Sequence, residues 1–155
     1  MAETGNTDFG KSVTGVLIRD GKVLLGRHTY GGGKGLLIIP GGYIQQGEAP
    51  EDAVVREFLE ETGVTVRPGE ILGIRFNTHD WYVIFRVEYV SGEAVSDHDE
   101  NSEVLWLDVN EALSREDVPL LTKQAIMSAT EGGSGLAKWD GQLPGRWQPS
   151  SLYRV

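Results

Sequence analysis

The order of segments along the chain predicts an α/β domain, and two observations carry that prediction. Residues 13–18 and 23–27 are apolar, β-branched runs joined at Asp20-Gly21, a hairpin signal. Ribbons of this kind alternate with segments carrying helix punctuation, and such interleaving is the mark of the α/β class. The clearest helix spans residues 50–62. Pro50 suits a first turn, where its missing N–H costs nothing, and Glu51 and Asp52 favour a helix N-terminus. Gly63 fits the residue just past the helix end.

The other elements follow in order. Residues 28–35 form a loop with three consecutive glycines, and residues 36–39 a short strand stopped by Pro40. Residues 69–76 read as a strand, and Asn77-Thr78-His79-Asp80 as a turn. Residues 81–90 are the longest strand pattern, rich in aromatic and β-branched residues. A strand at 104–107, a short helix at 109–113 and a longer one at 120–130 complete the set. Residues 1–11 are expected to be a mobile tail and residues 12–131 the folded domain. Gly132-Gly133-Ser134-Gly135 reads as a linker. The tail to residue 155 carries Trp139, Trp147 and Tyr153 and is expected to pack on the domain or on a second subunit; a lid over the active site is the alternative.

A chain of 155 residues is one domain with room for a core. With no cysteine, disulfides, thiolate catalysis and cysteine-based zinc sites are excluded. There is no apolar run long enough to span a membrane, and the polar opening MAETGNTDFG is unlike a signal peptide, so the expected location is the cytoplasm. The net charge of −9, from 14 basic and 23 acidic residues, argues against nucleic acid as a partner. It also obliges any phosphate-binding site to offset a negative field locally.

The helix at 50–62 raises that question directly. At about 100° per residue, Val54, Val55, Phe58 and Leu59 are read as one apolar arc, with Arg56, Glu57, Glu60 and Glu61 opposite. Each like-charge pair at three or four residues costs roughly 0.2–0.5 kcal/mol, and the helix dipole disfavours anions in its last turns. A hard divalent cation, held by one or two carboxylates together with substrate phosphates, would turn that repulsion into coordination. A solvated acidic face is the plainer reading. It leaves unexplained the turn Pro40-Gly41-Gly42, the Gly47-Glu48 pair and the Arg56-Glu57 pair.

Together these residues resemble the Nudix box, G-x5-E-x7-R-E-U-x-E-E-x-G-U with U bulky and apolar. Gly42 is followed by five residues, Glu48, seven more, and then Arg56-Glu57-Phe58-Leu59-Glu60-Glu61-Thr62-Gly63-Val64. Every fixed position matches. At average residue usage, a chance match per start position is on the order of one in a hundred million or less. The flanking order of strands extends the resemblance to about residues 12–130.

The resemblance implies a Nudix-like α/β/α sandwich with a mixed β-sheet. It implies hydrolysis of a nucleoside diphosphate linked to another group, by water attack on phosphorus, with Mg²⁺ or Mn²⁺ as cofactor. By match to the box, Glu57, Glu60 and Glu61 are the metal ligands, with the Gly41 carbonyl as a further one. Gly42 and Glu48 support them, and Arg56 orients a glutamate. A surface ion pair is the alternative for Arg56.

The general base is expected from an acid outside the box, Glu100 or Glu103, or else from a box glutamate. An ordinary acidic loop at 97–103 is the competing reading. Gln45 departs from the Glu common in the family, which puts metal number and affinity in question. Phe76, Trp81 and Tyr82 could stack on a base, and Arg27, His28 and Lys34 could bind phosphate beside the glycine loop. For each of these, core packing or solvent exposure is the alternative.

ADP-ribose-specific members typically carry a proline about 15 residues after the box, and this chain has none at 77–81. A nucleoside triphosphate or nucleotide sugar is the leading expectation for the substrate. A catalytically silent nucleotide sensor is the main alternative function. An isoprenoid diphosphate isomerase is disfavoured, since its common form looks cysteine-dependent.

Overall fold

The structure is a computed structural model and describes residues 10–131, 136–148 and 150–155. The expected Gly-rich linker at 132–135 and most of the expected N-terminal tail lie outside the described residues. Gly10 and Lys11, assigned to the tail from sequence, instead open strand β1 (Gly10–Arg19). They are held there by parallel pairing with Asp80 and Trp81.

A hairpin at Asp20-Gly21, both at positive φ, joins β1 to β2 (Lys22–His28). A 3-10 turn at Gly31–Gly33 leads to β3 (Leu37–Ile38) and β4 (Gly41–Tyr43). Helix α1 (Pro50–Thr62) ends at Gly63 in the left-handed conformation. Next come β5 (Thr65–Phe76) and β6 (Asp80–Ser91). Strand β5 starts earlier than Gly69 because Pro68 is absorbed at an irregularity in its pairing with β6. Then follow β7 (Asn101–Asp108), α2 (Val109–Ser114) and α3 (Leu120–Glu131). Strands β8 (Ala137–Lys138) and β9 (Ser151–Arg154) close the order.

The sheet is mixed. Its main path runs β3-β2-β1-β6-β5-β9-β8, with β4 added to β1 and β7 to β2. Strands β1 and β6 are parallel, and the other pairs are antiparallel. One face packs on α1 through Val13, Leu17, Leu24, Val54, Phe58 and Phe85. The other packs on α2 and α3 through Val16, Leu25, Ile84, Ala112 and Ile126. The result is an α/β/α sandwich.

One departure from a continuous sheet positions the site. Strands β1 and β2 pair only beside their hairpin, at Ile18 with Val23 and Arg19 with Lys22. Further out, β1 pairs with β4 at residues 12–14, and β2 pairs with β3 and β7. The sheet therefore forks, and the turn carrying Pro40 and Gly41 fills the fork, with Gly15 N donating to the Pro40 carbonyl.

Candidate active site

Helix α1 does not present its acidic residues as the sequence suggests. Its buried arc comprises Ala53, Val54, Glu57, Phe58, Glu61 and Thr62, while Leu59 is 52% exposed. Contrary to the sequence expectation, Glu57 and Glu61 do not lie opposite the apolar arc. At about 100° per residue, Glu57 and Glu61 fall inside the arc bounded by Ala53 and Thr62, and Leu59 falls outside it. Two carboxylates are thus pressed toward the sheet. Only Glu60 stays exposed, 3.2 Å from Arg56.

Arg56 organises this side of the helix. Its guanidinium donates to both Glu48 oxygens at 2.7 and 3.0 Å, to Glu57 at 3.0 Å and to the Tyr43 carbonyl at 3.1 Å. It ties α1 to the loop and strand that precede it, and holds the Glu48 carboxyl below the usual range. Gly42 lies against the second of these carboxylates. A Cβ there would sit 2.5 Å from Glu57 Oε1, so any larger residue would displace that side chain. Gly41 precedes it in β4, paired with Thr14.

Glu61 has a different environment. It is 3% exposed, and among the described residues no ion pair reaches it. Its Oε1 accepts from the Asn101 side-chain amide at 3.3 Å, while Oε2 is buried and meets no donor. The Asn101 Oδ1 is likewise buried and unpartnered. Burial, then Glu57 beside it, pushes the Glu61 carboxyl up to about 9. Two buried acceptor oxygens with no donor are costly, and a cation removes that cost. No three acidic or histidine side chains among the described residues already converge as a complete metal cage. The donor set instead fits a hard ion that keeps several ligands for water and substrate oxygens.

Asn101 is the site residue that sequence reasoning missed. It reaches Glu61 because Ser102 is an extra residue in β7: Asn101 faces His28 across the ladder, yet Glu103 faces Arg27. The bulge puts Asn101 on the α1 face beside Gly26, where a Cβ would lie 2.5 Å from Asn101 Oδ1. The same bulge sends Glu103 to the other face. There it pairs with Arg27 at 3.3 Å, and Arg27 also pairs with Asp117 at 3.1 Å and donates to the Gly35 carbonyl.

The two candidate bases therefore part company. Glu100 stays near the α1 carboxylates, and its own carboxyl is raised by burial and then by Glu57 and its acidic loop neighbours. Glu103 belongs to the Arg27 network. For Arg27, the expected phosphate contact meets a guanidinium already engaged by two carboxylates and a carbonyl.

The remaining expected contacts divide. The His28 ring stacks on Tyr30 at 6.0 Å, and burial lowers its pKa. Tyr30 donates to Glu100 at 3.2 Å; burial and then the Glu100 charge push its hydroxyl up to about 12. Lys34 is exposed at the end of the 3-10 turn. Trp81 and Phe76 meet edge to face at 5.4 Å, and Phe76 also meets Tyr153. Tyr82 packs in the α3-side core, with Arg75 5.1 Å over its ring.

The family model described as NUDIX domain matches residues 9–129. The chain belongs to the Nudix family. Among curated relatives, this Nudix chain is 31% identical over 105 residues to an ADP-ribose pyrophosphatase of Methanocaldococcus jannaschii, covering 64% of this chain and 62% of that protein. It is 36% identical over 107 residues to a MutT-like protein of Streptomyces ambofaciens, covering 67% of each. The match thus spans under two thirds of the length of the first of these relatives. In fold, it superposes on the MutT Nudix hydrolase of Burkholderia pseudomallei with a TM-score of 0.71 at 22% identity, covering 79% of this chain and 98% of that one.

Proposed function

We propose that the chain is a divalent-metal-dependent hydrolase that cleaves the diphosphate bond of a nucleoside diphosphate linked to another group, with a nucleoside triphosphate or nucleotide sugar as substrate. One observation carries this reading. Glu61 and Asn101 hold buried acceptor oxygens that meet no donor, beside Glu57, against which Gly42 of β4 is packed. That arrangement makes sense when a cation completes it.

Glu57, Glu60, Glu61 and the Gly41 carbonyl are the groups assigned to hold Mg²⁺ or Mn²⁺. Such an ion, when bound, neutralises phosphate oxygens and orients or acidifies water. Arg56 fixes Glu57 and Glu48 in place, and Asn101 fixes Glu61. Glu100 takes the proton from the attacking water. The water oxygen forms a bond to phosphorus while the bridging P–O bond breaks, its electron pair leaving with the departing phosphate. Positioning and charge stabilisation carry most of the rate in such transfers.

The pyrophosphatase named among the relatives supports a diphosphate bond as the target. The missing proline after the box turns the reading away from ADP-ribose. The net charge of −9 supports a small-molecule substrate rather than a nucleic acid, and a cysteine-free chain suits the cytoplasm. Among the described residues, no helix is long and apolar enough to cross a membrane.

The test is hydrolysis of a panel of nucleoside triphosphates, nucleotide sugars, dinucleotides and ADP-ribose, with Mg²⁺, Mn²⁺ or EDTA. Cleavage of one class that EDTA abolishes is the expected result. Tight nucleotide binding with no turnover in either metal would replace the hydrolase with a sensor.

A further inference from the structure

We propose that the C-terminal segment around Leu143 and Trp147, which lies beyond the stretch matched by the family model, forms one wall of the pocket that receives the substrate's nucleobase. The proposal rests on the hydrolase reading above and specifies where its nucleoside half sits.

A cavity of about 360 Å³ opens beside the glycine loop. Its walls are Leu36 and Ile38 on one side, Leu120 at the start of α3 on another, and Leu143 and Trp147 on the third. The volume falls in the lower range of small-ligand pockets, about 300–1,000 Å³, and an apolar lining with a few polar groups is what such pockets present. Arg75 also lines it. The Arg75 guanidinium pairs with Asp80 through Nη2, but its Nε is buried and unpartnered. A planar heterocycle would fill the apolar space, with the Arg75 guanidinium on its edge.

A chain of four residues at the end of the sheet connects the cavity with the carboxylates of α1. Gly33 lines it, and His28 Nδ1 is 3.4 Å from the Cβ position of Gly33. His28 stacks on Tyr30, whose hydroxyl reaches Glu100. A base in the cavity would send its diphosphate past the Gly33 loop and around the end of the sheet toward Glu57 and Glu61.

The wall is built rather than loose. Gln148 donates to the Leu143 and Gly145 carbonyls at 3.1 and 3.0 Å and accepts from Ser150 N at 3.1 Å. Trp147 stacks on His79 at 4.3 Å, which ties the segment to the β5–β6 turn. Strand β9 then pairs with β5 from Gly73 to Phe76, next to Arg75. Among the described residues, the aromatic that lines this pocket, Trp147, thus comes from the C-terminal segment, whereas Trp81 and Phe76 meet each other away from it.

The experiment uses two variants of the full chain, Leu120→Trp to fill the cavity and Trp147→Ala to open its wall. Binding of the four nucleoside 5′-monophosphates and of ribose 5-phosphate is measured by calorimetry in EDTA. The ratio of kcat/KM for the preferred nucleotide to that for a ribose 5-diphosphate without a base is measured with Mg²⁺. Wild type should bind at least one nucleoside monophosphate at least tenfold tighter than ribose 5-phosphate, and both variants should lose that preference and lower the kcat/KM ratio at least tenfold. Variants that keep both the preference and the ratio overturn the proposal. So does loss of the preference in Trp81→Ala with Trp147→Ala unaffected, because the base would then lie elsewhere. If wild type hydrolyses nothing yet both variants lose the preference in calorimetry, the hydrolase reading fails and the pocket assignment stands.

Discussion

Two clusters of carboxylates and arginines lie on opposite faces of the same sheet, and they are compensated differently. On the α3 side, Arg27 and Arg115 meet three carboxylates, Glu103, Asp117 and Glu111, and each carboxylate reaches an arginine. Arg115, then Arg27, holds the Asp117 carboxyl well below its usual range. On the α1 side, the guanidinium of Arg56 meets Glu48, Glu57 and Glu60, while Glu61 is buried and, among the described residues, reached by no arginine. The first cluster is complete and its work is to hold β2, β7 and the chain before α3 together. The second is short of positive charge where water cannot supply it. Acidic residues alone do not distinguish the two in sequence. What distinguishes them is whether the protein itself provides the counter-charge.

The largest effect expected from breaking this contrast is on turnover. Glu61→Gln and Glu57→Gln should each lower kcat/KM by at least about a hundredfold, the scale on which removing one buried stabilising group acts, with circular dichroism unchanged. Activity within a few-fold of wild type would remove them from the site.

The second effect is on stability and its pH dependence. Burial raises the Glu61 carboxyl from 4.5 to about 9 in the folded chain. Between those values the folded metal-free protein keeps a proton that the unfolded chain has released. This group's contribution to stability is therefore fully present below about pH 4.5 and is lost as pH rises through about 9. Glu61→Gln should flatten that fall and raise the melting midpoint in EDTA at pH 8 by at least about 3 °C. At pH 4.5 the two midpoints should coincide. Parallel curves for the two proteins would mean that Glu61 is not buried as described.

Arg56→Lys should cost about 10–100-fold in activity, the range for groups that orient metal ligands, because an ammonium cannot keep the forked contact to Glu48 together with Glu57. A change of less than threefold would reduce Arg56 to a surface ion pair. The smallest effect belongs to the balanced cluster. Glu103→Gln should cost at most about 1 kcal/mol in stability, as exposed pairs do, and leave kcat/KM within about threefold. A hundredfold loss would return the base role to Glu103.

Much of this was legible in the sequence, and the parts that were not have identifiable causes. The ends of α1 could be read from Pro50 and Gly63, and the box glutamates from their spacing. The buried arc could not be read correctly, because Leu59 is apolar yet exposed and Glu57 and Glu61 are charged yet buried. Their burial goes with the close approach of Gly42, on the strand before the helix, and with Asn101, which is far away in sequence. The bulge at Ser102 leaves no compositional mark, but it decides which of Glu100, Asn101 and Glu103 faces α1. The C-terminal segment pairs through only a few residues at each contact, too short a pattern to predict as strands.

The proposed function predicts that a divalent cation binds at the α1 cluster and not at the α3-side cluster. It is tested most directly by titrating Mn²⁺ into wild type, Glu61→Gln and Glu103→Gln and counting free ion by electron paramagnetic resonance, with no substrate present. Wild type and Glu103→Gln should bind Mn²⁺ with the same affinity, and Glu61→Gln at least tenfold more weakly. Equal binding by all three, or weakening by Glu103→Gln alone, would contradict the account.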